Sequence, residues 1–278
     1  MQRSLIAMFR VLPLWLLYGV MALVVPFYMI FNRKGYQAMY SFFRERMVYG
    51  PLKSFCNVYL NHFRFGQVIL DRFGAFAGKK YQFECEGLEL MEHLESFPKG
   101  FMMLSSHVGC YEMVGYSLKL KTKTMNALVY AGETATVMEN RQRVFGQHNV
   151  QMVPVKEDMS HLFALNAAID NGDIVSMPAD RIFGSQKSVE CQFFGEKANF
   201  PLGGFAMAVQ KEVSVLAVFV MKEGVKKYRV FLRAVECDNQ AKKRDQMAQL
   251  AQSFATQLED IVRRYPTQWF NYFDFWRQ

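Results

Sequence analysis

Of the five histidines in this 278-residue chain, His107 sits where chemistry is easiest to build. It follows an apolar run, Phe101-Met102-Met103-Leu104, and a Ser105-Ser106 turn, and Glu112 lies five residues further on. The pattern reads as a strand, a turn, and a helix opening at His107-Val108-Gly109-Cys110-Tyr111-Glu112. An imidazole at a strand end with a carboxylate in the first helical turn can form a dyad. The carboxylate accepts a hydrogen bond from one ring nitrogen and leaves the other as a base. A helix N-terminus also suits the anion. On the spacing alone, a structural histidine held by a nearby acid is the favoured reading.

Other chemistries find less support. Ser105, Ser106 and Cys110 are nucleophilic residue types, but no G-x-S-x-G elbow occurs, and Cys110 reads as a small hydrophobe. His62, His93, His148 and His161 lack metal-ligand spacing, with no H-E-x-x-H and no Cys-x-x-Cys. Neither G-x-G-x-x-G nor G-x4-G-K-[ST] is present, so neither a metal nor a nucleotide cofactor is expected. The five scattered cysteines fit reduced thiols in a cytoplasmic body.

The elements that must position His107 follow from periodicity. β-prone runs occur at Tyr81–Cys85, Phe101–Leu104, Met125–Tyr130, Val150–Val155, Ile174–Met177, Val213–Val220 and Tyr228–Val235. Helical stretches lie near 88–96, 109–121, 134–147, 160–171, 203–211 and 241–264. This alternation predicts an α/β fold, a mixed, mostly parallel sheet flanked by helices, with reactive groups at strand C-termini. No linker divides residues 80–278.

Ahead of this body the chain is different. Residues 1–80 carry eleven Lys and Arg against two acids, a net of +9, whereas the other 198 carry 22 against 23. The basic pI of about 9.2 therefore belongs to the N-terminal arm. Val11 to Phe31 is uncharged over 21 residues, enough for a helix spanning about 30 Å of hydrocarbon. A signal peptide is disfavoured by the length of the run and by Asn32-Arg33-Lys34 in place of a small-residue cleavage site. Pro13 and Pro26 leave a tilted or half-inserted anchor as an alternative to a full span. From 36 to 77, aromatics alternate with Arg44, Arg46, Lys53, Arg64 and Arg72 in a helical pattern broken at Gly50-Pro51. Beside an anchor these read as membrane-interface groups or as an ordinary core-facing helix, not as a nucleic-acid surface. The expected organisation is an anchor at 1–31, a basic aromatic arm at 32–79 and an α/β domain at 80–278. The more basic downstream flank places that domain on the cytoplasmic side.

Several motifs occur in order: the anchor and arm, His107-x4-Glu112, Arg141 and Arg143 before Gly146, Asp180-Arg181 after a strand, Phe200-Pro201-Leu202-Gly203-Gly204, and Pro266-Thr267-Gln268-Trp269. Together they make the chain resemble the bacterial lipid A late acyltransferase family, within the lysophospholipid acyltransferase superfamily. The resemblance implies a glycerol-3-phosphate acyltransferase-like fold at the bacterial inner membrane. It implies transfer of a fatty acyl chain from an acyl carrier protein, or acyl-CoA, to a hydroxyl of a lipid A-type glycolipid. His107 is then the general base, Glu112 its orienter, and Arg141, Asp180, Arg181, Pro201 and Gly203 the substrate-binding groups. Basic runs at Lys119-Lys121-Lys123, Lys226-Lys227-Arg229 and Lys242-Lys243-Arg244 are places for an acidic carrier to dock. The chain departs from the family pattern at Cys110-Tyr111 and after Trp269, where Phe270-Asn271-Tyr272-Phe273 stands. These departures keep other acceptors open, namely an aryl-polyene pigment, an amino-acid lipid or a lysophospholipid. A non-catalytic membrane-anchored binding protein and a Cys or Ser hydrolase are the alternatives from other classes.

Overall fold

The computed structural model describes residues 9–118, 120–130, 149–182 and 187–277. A helix α1 (Leu14–Phe31) starts directly after Pro13 and runs unbroken through Pro26. After α2 (Arg33–Ser41) comes one π-helical turn, Phe42–Arg46. The long helix α3 (Pro51–Phe76) then opens on Pro51, a residue whose missing N–H costs nothing at a helix start.

A seven-stranded sheet forms the body. Its strands are β1 (Gln82–Glu86), β2 (Phe101–Ser105), β3 (Met125–Val129), β4 (Val150–Pro154), β5 (Ile174–Pro178), β8 (Val215–Lys222) and β9 (Lys227–Val235). The spatial order is β1-β9-β8-β2-β5-β3-β4. All neighbours are parallel except β8 and β9, so the sheet is mixed and mostly parallel, as the alternation predicts. Helices α4 (Leu88–Glu95), α5 (Val114–Ser117), α6 (Ser160–Asp170), α7 (Gly203–Lys211) and α8 (Lys243–Arg264) connect and flank the strands. The expected helix at 109–121 is reduced to a 3-10 turn at Tyr111–Met113 followed by the single turn of α5. The helix expected at 134–147 lies outside the described residues.

β2 is buried at all five positions, as a strand between β8 and β5 must be. Its side chains alternate between two apolar layers. Met102 and Leu104 face the layer built with Phe205, Phe254 and Leu258 of α7 and α8, while Phe101 and Met103 face the layer shared with Val68 of α3 and Met91 of α4. The hairpin β6 (Ser188–Phe193) and β7 (Glu196–Pro201) lies outside the main sheet. Its tip, Phe194-Gly195, has positive φ at both residues, the backbone that a two-residue hairpin turn prefers.

The N-terminal arm is built into the body. Leu14, Tyr18, Val25 and Met29 form the buried face of α1, and Gly66 lets α1 lie close on α3, since a Cβ there would meet Met21 at 2.7 Å. Phe42 and Phe43 are buried in the core, and the Phe42 ring packs 4.8 Å from that of Trp269. The opposite face of α1 presents Trp15, Val20, Leu23, Phe27, Ile30 and Phe31 to the outside. Among the described helices α1 is long and apolar enough to cross a membrane.

Candidate active site

Two adjacent parallel strands deliver the site. β2 and β5 pair with a constant offset, Phe101 opposite Ile174 through Ser105 opposite Pro178. The Ala179 N–H continues the ladder to the Ser105 carbonyl at 2.9 Å. Two residues beyond each strand end, the same register sets His107 against Asp180. The Asp180 carboxylate accepts from the His107 main-chain N–H at 2.8 Å and from ring Nδ1, also at 2.8 Å. An ionised carboxylate only accepts, so Nδ1 carries a proton, and in a neutral ring the lone pair is then on Nε2. Asp180 is buried while the His107 side chain is 25% exposed. Burial alone would raise the Asp180 carboxyl, but the His107 ring and N–H and the Arg181 guanidinium together hold it below its ordinary value.

The His107 ring thus bonds to Asp180 through Nδ1, where the His-x4-Glu spacing suggests Glu112. The reason lies in the backbone. His107 does not open a helix. Residues 107–110 continue as an extended turn, with Val108 bridged to Trp269 and Gly109 to Val220. Gly109 has φ +59°, and a Cβ there would lie 2.0 Å from the Val220 carbonyl oxygen, so only glycine fits. By the time helical geometry begins at Tyr111, Glu112 has turned toward α3, where Arg72 pairs with it at 2.7 Å. The Tyr111 ring meets the His107 ring edge-on at 5.7 Å.

The turn is held from outside by the segment after α8. Phe270 N–H donates to the His107 carbonyl at 3.0 Å, and Gly109 N–H to the Gln268 carbonyl at 2.7 Å. Cys110 N–H donates to Val220 at 2.8 Å. The Gln268 side-chain amide brackets the main chain of Lys222, accepting from its N–H and donating to its carbonyl, each at 2.9 Å. Asn61 of α3 donates to the Trp269 carbonyl at 2.7 Å. The Pro-x-Gln-Trp motif thus works as a clamp on the histidine turn.

Arg181 follows Asp180 and points into the same corner. Its guanidinium donates to the Phe270 carbonyl and lies 5.4 Å over the Phe273 ring, and its Nε is buried without a partner among the described residues. Burial lowers its pKa, against the pull of the neighbouring Asp180. Ser106 Oγ and Asn271 Oδ1 are likewise buried without a hydrogen-bond partner.

The remaining predicted residues divide. Pro201 ends β7 and Gly203 opens α7, but a Cβ on Gly203 would meet open space. Gly204 is the glycine that lets α7 close on the strands, its Cβ position being 3.1 Å from Leu104 and 3.3 Å from Met177. Arg141 and Arg143 lie outside the described residues. Cys110 is buried and its thiol pushed far up by that burial, which suits packing and not nucleophilic attack. In the basic run ending at Lys123, Lys123 is buried and donates to the carbonyls of Lys99 and Gly172, while Lys121 is exposed and pairs with Glu92. Sequence reasoning missed the pairing of Arg72 with Glu112, the contact of Tyr111 with His107 and the hydrogen bonds of Asp180 to His107. One signal was present, since His107 and Asp180 each stand three residues past a β-prone run.

No curated protein matches this chain in sequence. Among solved structures it is similar to the 1-acyl-sn-glycerophosphate (LPA) acyltransferase PlsC from Thermotoga maritima, at 12% identity and a TM-score of 0.39, over 89% of this chain and 95% of that one. The model of the bacterial lipid A biosynthesis acyltransferases matches residues 73–278, from the last turn of α3 through the histidine turn, Asp180 and the Gln268 clamp. This chain belongs to that family and is an acyltransferase.

Proposed function

We propose that the protein moves a fatty acyl chain from an acyl thioester to a hydroxyl of a lipid A-type glycolipid, with His107 as the general base. The observation that carries this reading is the hydrogen bond from His107 Nδ1 to buried Asp180, which leaves Nε2 as a base at paired strand ends. An alcohol is a poor nucleophile at neutral pH, so its proton must leave as its oxygen attacks the thioester carbonyl. His107 Nε2 takes that proton. The tetrahedral intermediate then expels the thiolate, and the imidazolium returns the proton to sulfur. Asp180 fixes the tautomer and stabilises the transient imidazolium, in the role a third group plays beside any His base. Glu112, held by Arg72, is a second carboxylate beside this turn.

The substrate side of the reading is supported by Arg181, whose buried unpartnered N–H is a donor for a phosphate or an oxyanion. By the family resemblance, Pro201, Gly203 and Arg141 are further substrate-binding residues. The donor is acyl carrier protein, with acyl-CoA as the other thioester to compare. The outer face of α1 and the basic groups of residues 32–80 supply a single membrane contact, at the cytoplasmic face of the bacterial inner membrane.

A second acceptor is favoured by one observation: the segment beside Arg181 is Phe270-Asn271-Tyr272-Phe273, with no cation to meet a second phosphate. The test is transfer by full-length protein in detergent, with carrier-protein and CoA thioesters offered beside a lipid A precursor, read by mass spectrometry. A precursor heavier by one acyl chain, absent with His107→Ala, is expected. Transfer only to a pigment, amino-acid lipid or lysophospholipid moves the protein to the second acceptor class. No transfer to any of them overturns the reading.

A further inference from the structure

At the end of β8 lies a buried polar knot. Asp71 of α3 and Lys222 of β8 are almost wholly enclosed and pair at 2.6 Å. The Asp71 carboxylate also accepts from the hydroxyls of Tyr18 and Tyr228, and Tyr81 donates to its main-chain carbonyl at 3.0 Å. The three N–H bonds of the Lys222 ammonium are all used, by Asp71, by Tyr18 Oη at 3.1 Å and by the Val225 carbonyl at 3.1 Å. Tyr18 lies on the buried face of α1. The knot therefore seats the apolar helix against the sheet.

Lys222 has a second set of partners through its main chain. Its N–H and carbonyl are the two groups bracketed by the Gln268 side chain, and the Gln268 carbonyl receives Gly109 N–H. Two residues earlier on the same strand, the Val220 carbonyl receives Cys110 N–H. One residue thus holds α1 with its side chain and, through a single glutamine, the histidine turn with its backbone. A buried ion pair is a poor source of net stability, since apolar groups of similar volume often serve as well. What it supplies here is direction: an ammonium with three fixed acceptors permits one position for the end of β8.

We infer that Lys222 is a positioning residue for His107, coupling the seat of the membrane helix to the geometry of the catalytic turn. The inference rests on the acyl-transfer reading for its kinetic measurement, and displacement of a catalytic group by about 1 Å costs on the order of 10²-fold in rate.

The test uses full-length protein in detergent. Lys222→Met alone strands a buried carboxylate, so the informative variant is Asp71→Leu with Lys222→Met, which removes both charges together. Its expected result is a melting temperature near wild type and a kcat lowered about 10- to 100-fold at unchanged KM. Return of kcat together with the melting temperature overturns the inference. If the double variant does not fold, Tyr18→Phe keeps the ion pair and removes one hydroxyl; a severalfold drop in kcat at constant melting temperature is expected, and an unchanged kcat overturns the inference. Should wild type itself transfer no acyl group, the acyl-transfer reading fails separately. The NMR resonance of the His107 Nδ1–H bonded to Asp180 then decides: it must shift or broaden in whichever variant folds, and an unmoved resonance overturns the coupling.

Discussion

Asp180 and Asp71 make an instructive pair. Both are buried, at 1% and 0% exposure, and both meet a basic side chain at hydrogen-bond distance. Asp71 is saturated, its two oxygens taken by two tyrosines and a lysine that spends its own three N–H groups nearby. Asp180 holds a base only by one edge, and the far nitrogen of His107 remains open. The same carboxylate chemistry makes a rivet in one place and, on the proposed function, a reactive group in the other. What separates them is whether the partner has a free end.

Breaking the open pair has the largest expected effect. His107→Ala should lower transfer by about 10⁴-fold, the upper reach of general-base catalysis, with the fold and membrane binding intact. A near-normal rate would falsify the assignment of the base. Asp180→Asn should cost about 10²–10³-fold, because an amide no longer selects the tautomer that leaves Nε2 unprotonated; steady-state kinetics with a melting control checks this. The saturated pair should respond in stability instead. Asp71→Ala leaves the Lys222 ammonium buried without its anion and should cost about 3–5 kcal/mol in chemical denaturation; a loss below about 1 kcal/mol would mean that the lysine escapes to solvent. Glu112→Gln separates the two readings of the dyad. With Asp180 as orienter the loss should stay near tenfold, the size of a disturbed support, and a loss exceeding that of Asp180→Asn would return the orienting role to Glu112.

The smallest effect is on acid stability. The folded Asp180 carboxyl lies below its unfolded value of about 3.9, so its ionisation stabilises the fold above about pH 4. That contribution is lost as pH falls through the lower folded value. Denaturant melts between pH 2 and 6 should show a shallower acid branch for Asp180→Asn than for wild type. Identical branches would show that this carboxylate gains nothing from its surroundings on folding.

Strands and helices with clear periods were legible in the sequence: α7 falls at 203–211 as read, and β2, β5 and β9 lie within one residue of expectation. His107 was legible because a histidine after an apolar run is rare. Its partner was not, because Glu112 is near in sequence whereas Asp180 is near only through strand pairing, 73 residues away. Periodicity also missed β6 and β7, whose polar, half-exposed faces carry no apolar run. The path from Gly109 to Cys110 was misread as helix, since nothing local reports that Val220 and Gln268 claim those backbone N–H groups.

The clamp on the histidine turn has a consequence in time. His107 is matched by residues 268–270, which leave the ribosome about 160 residues later, on the order of 10–30 s at ordinary elongation rates. The apolar helix emerges long before either. Throughout that interval the nascent chain has His107 but not the backbone partners that close its turn. The histidine turn therefore stays open through that interval and closes only when residues 268–270 fold back over Gly109.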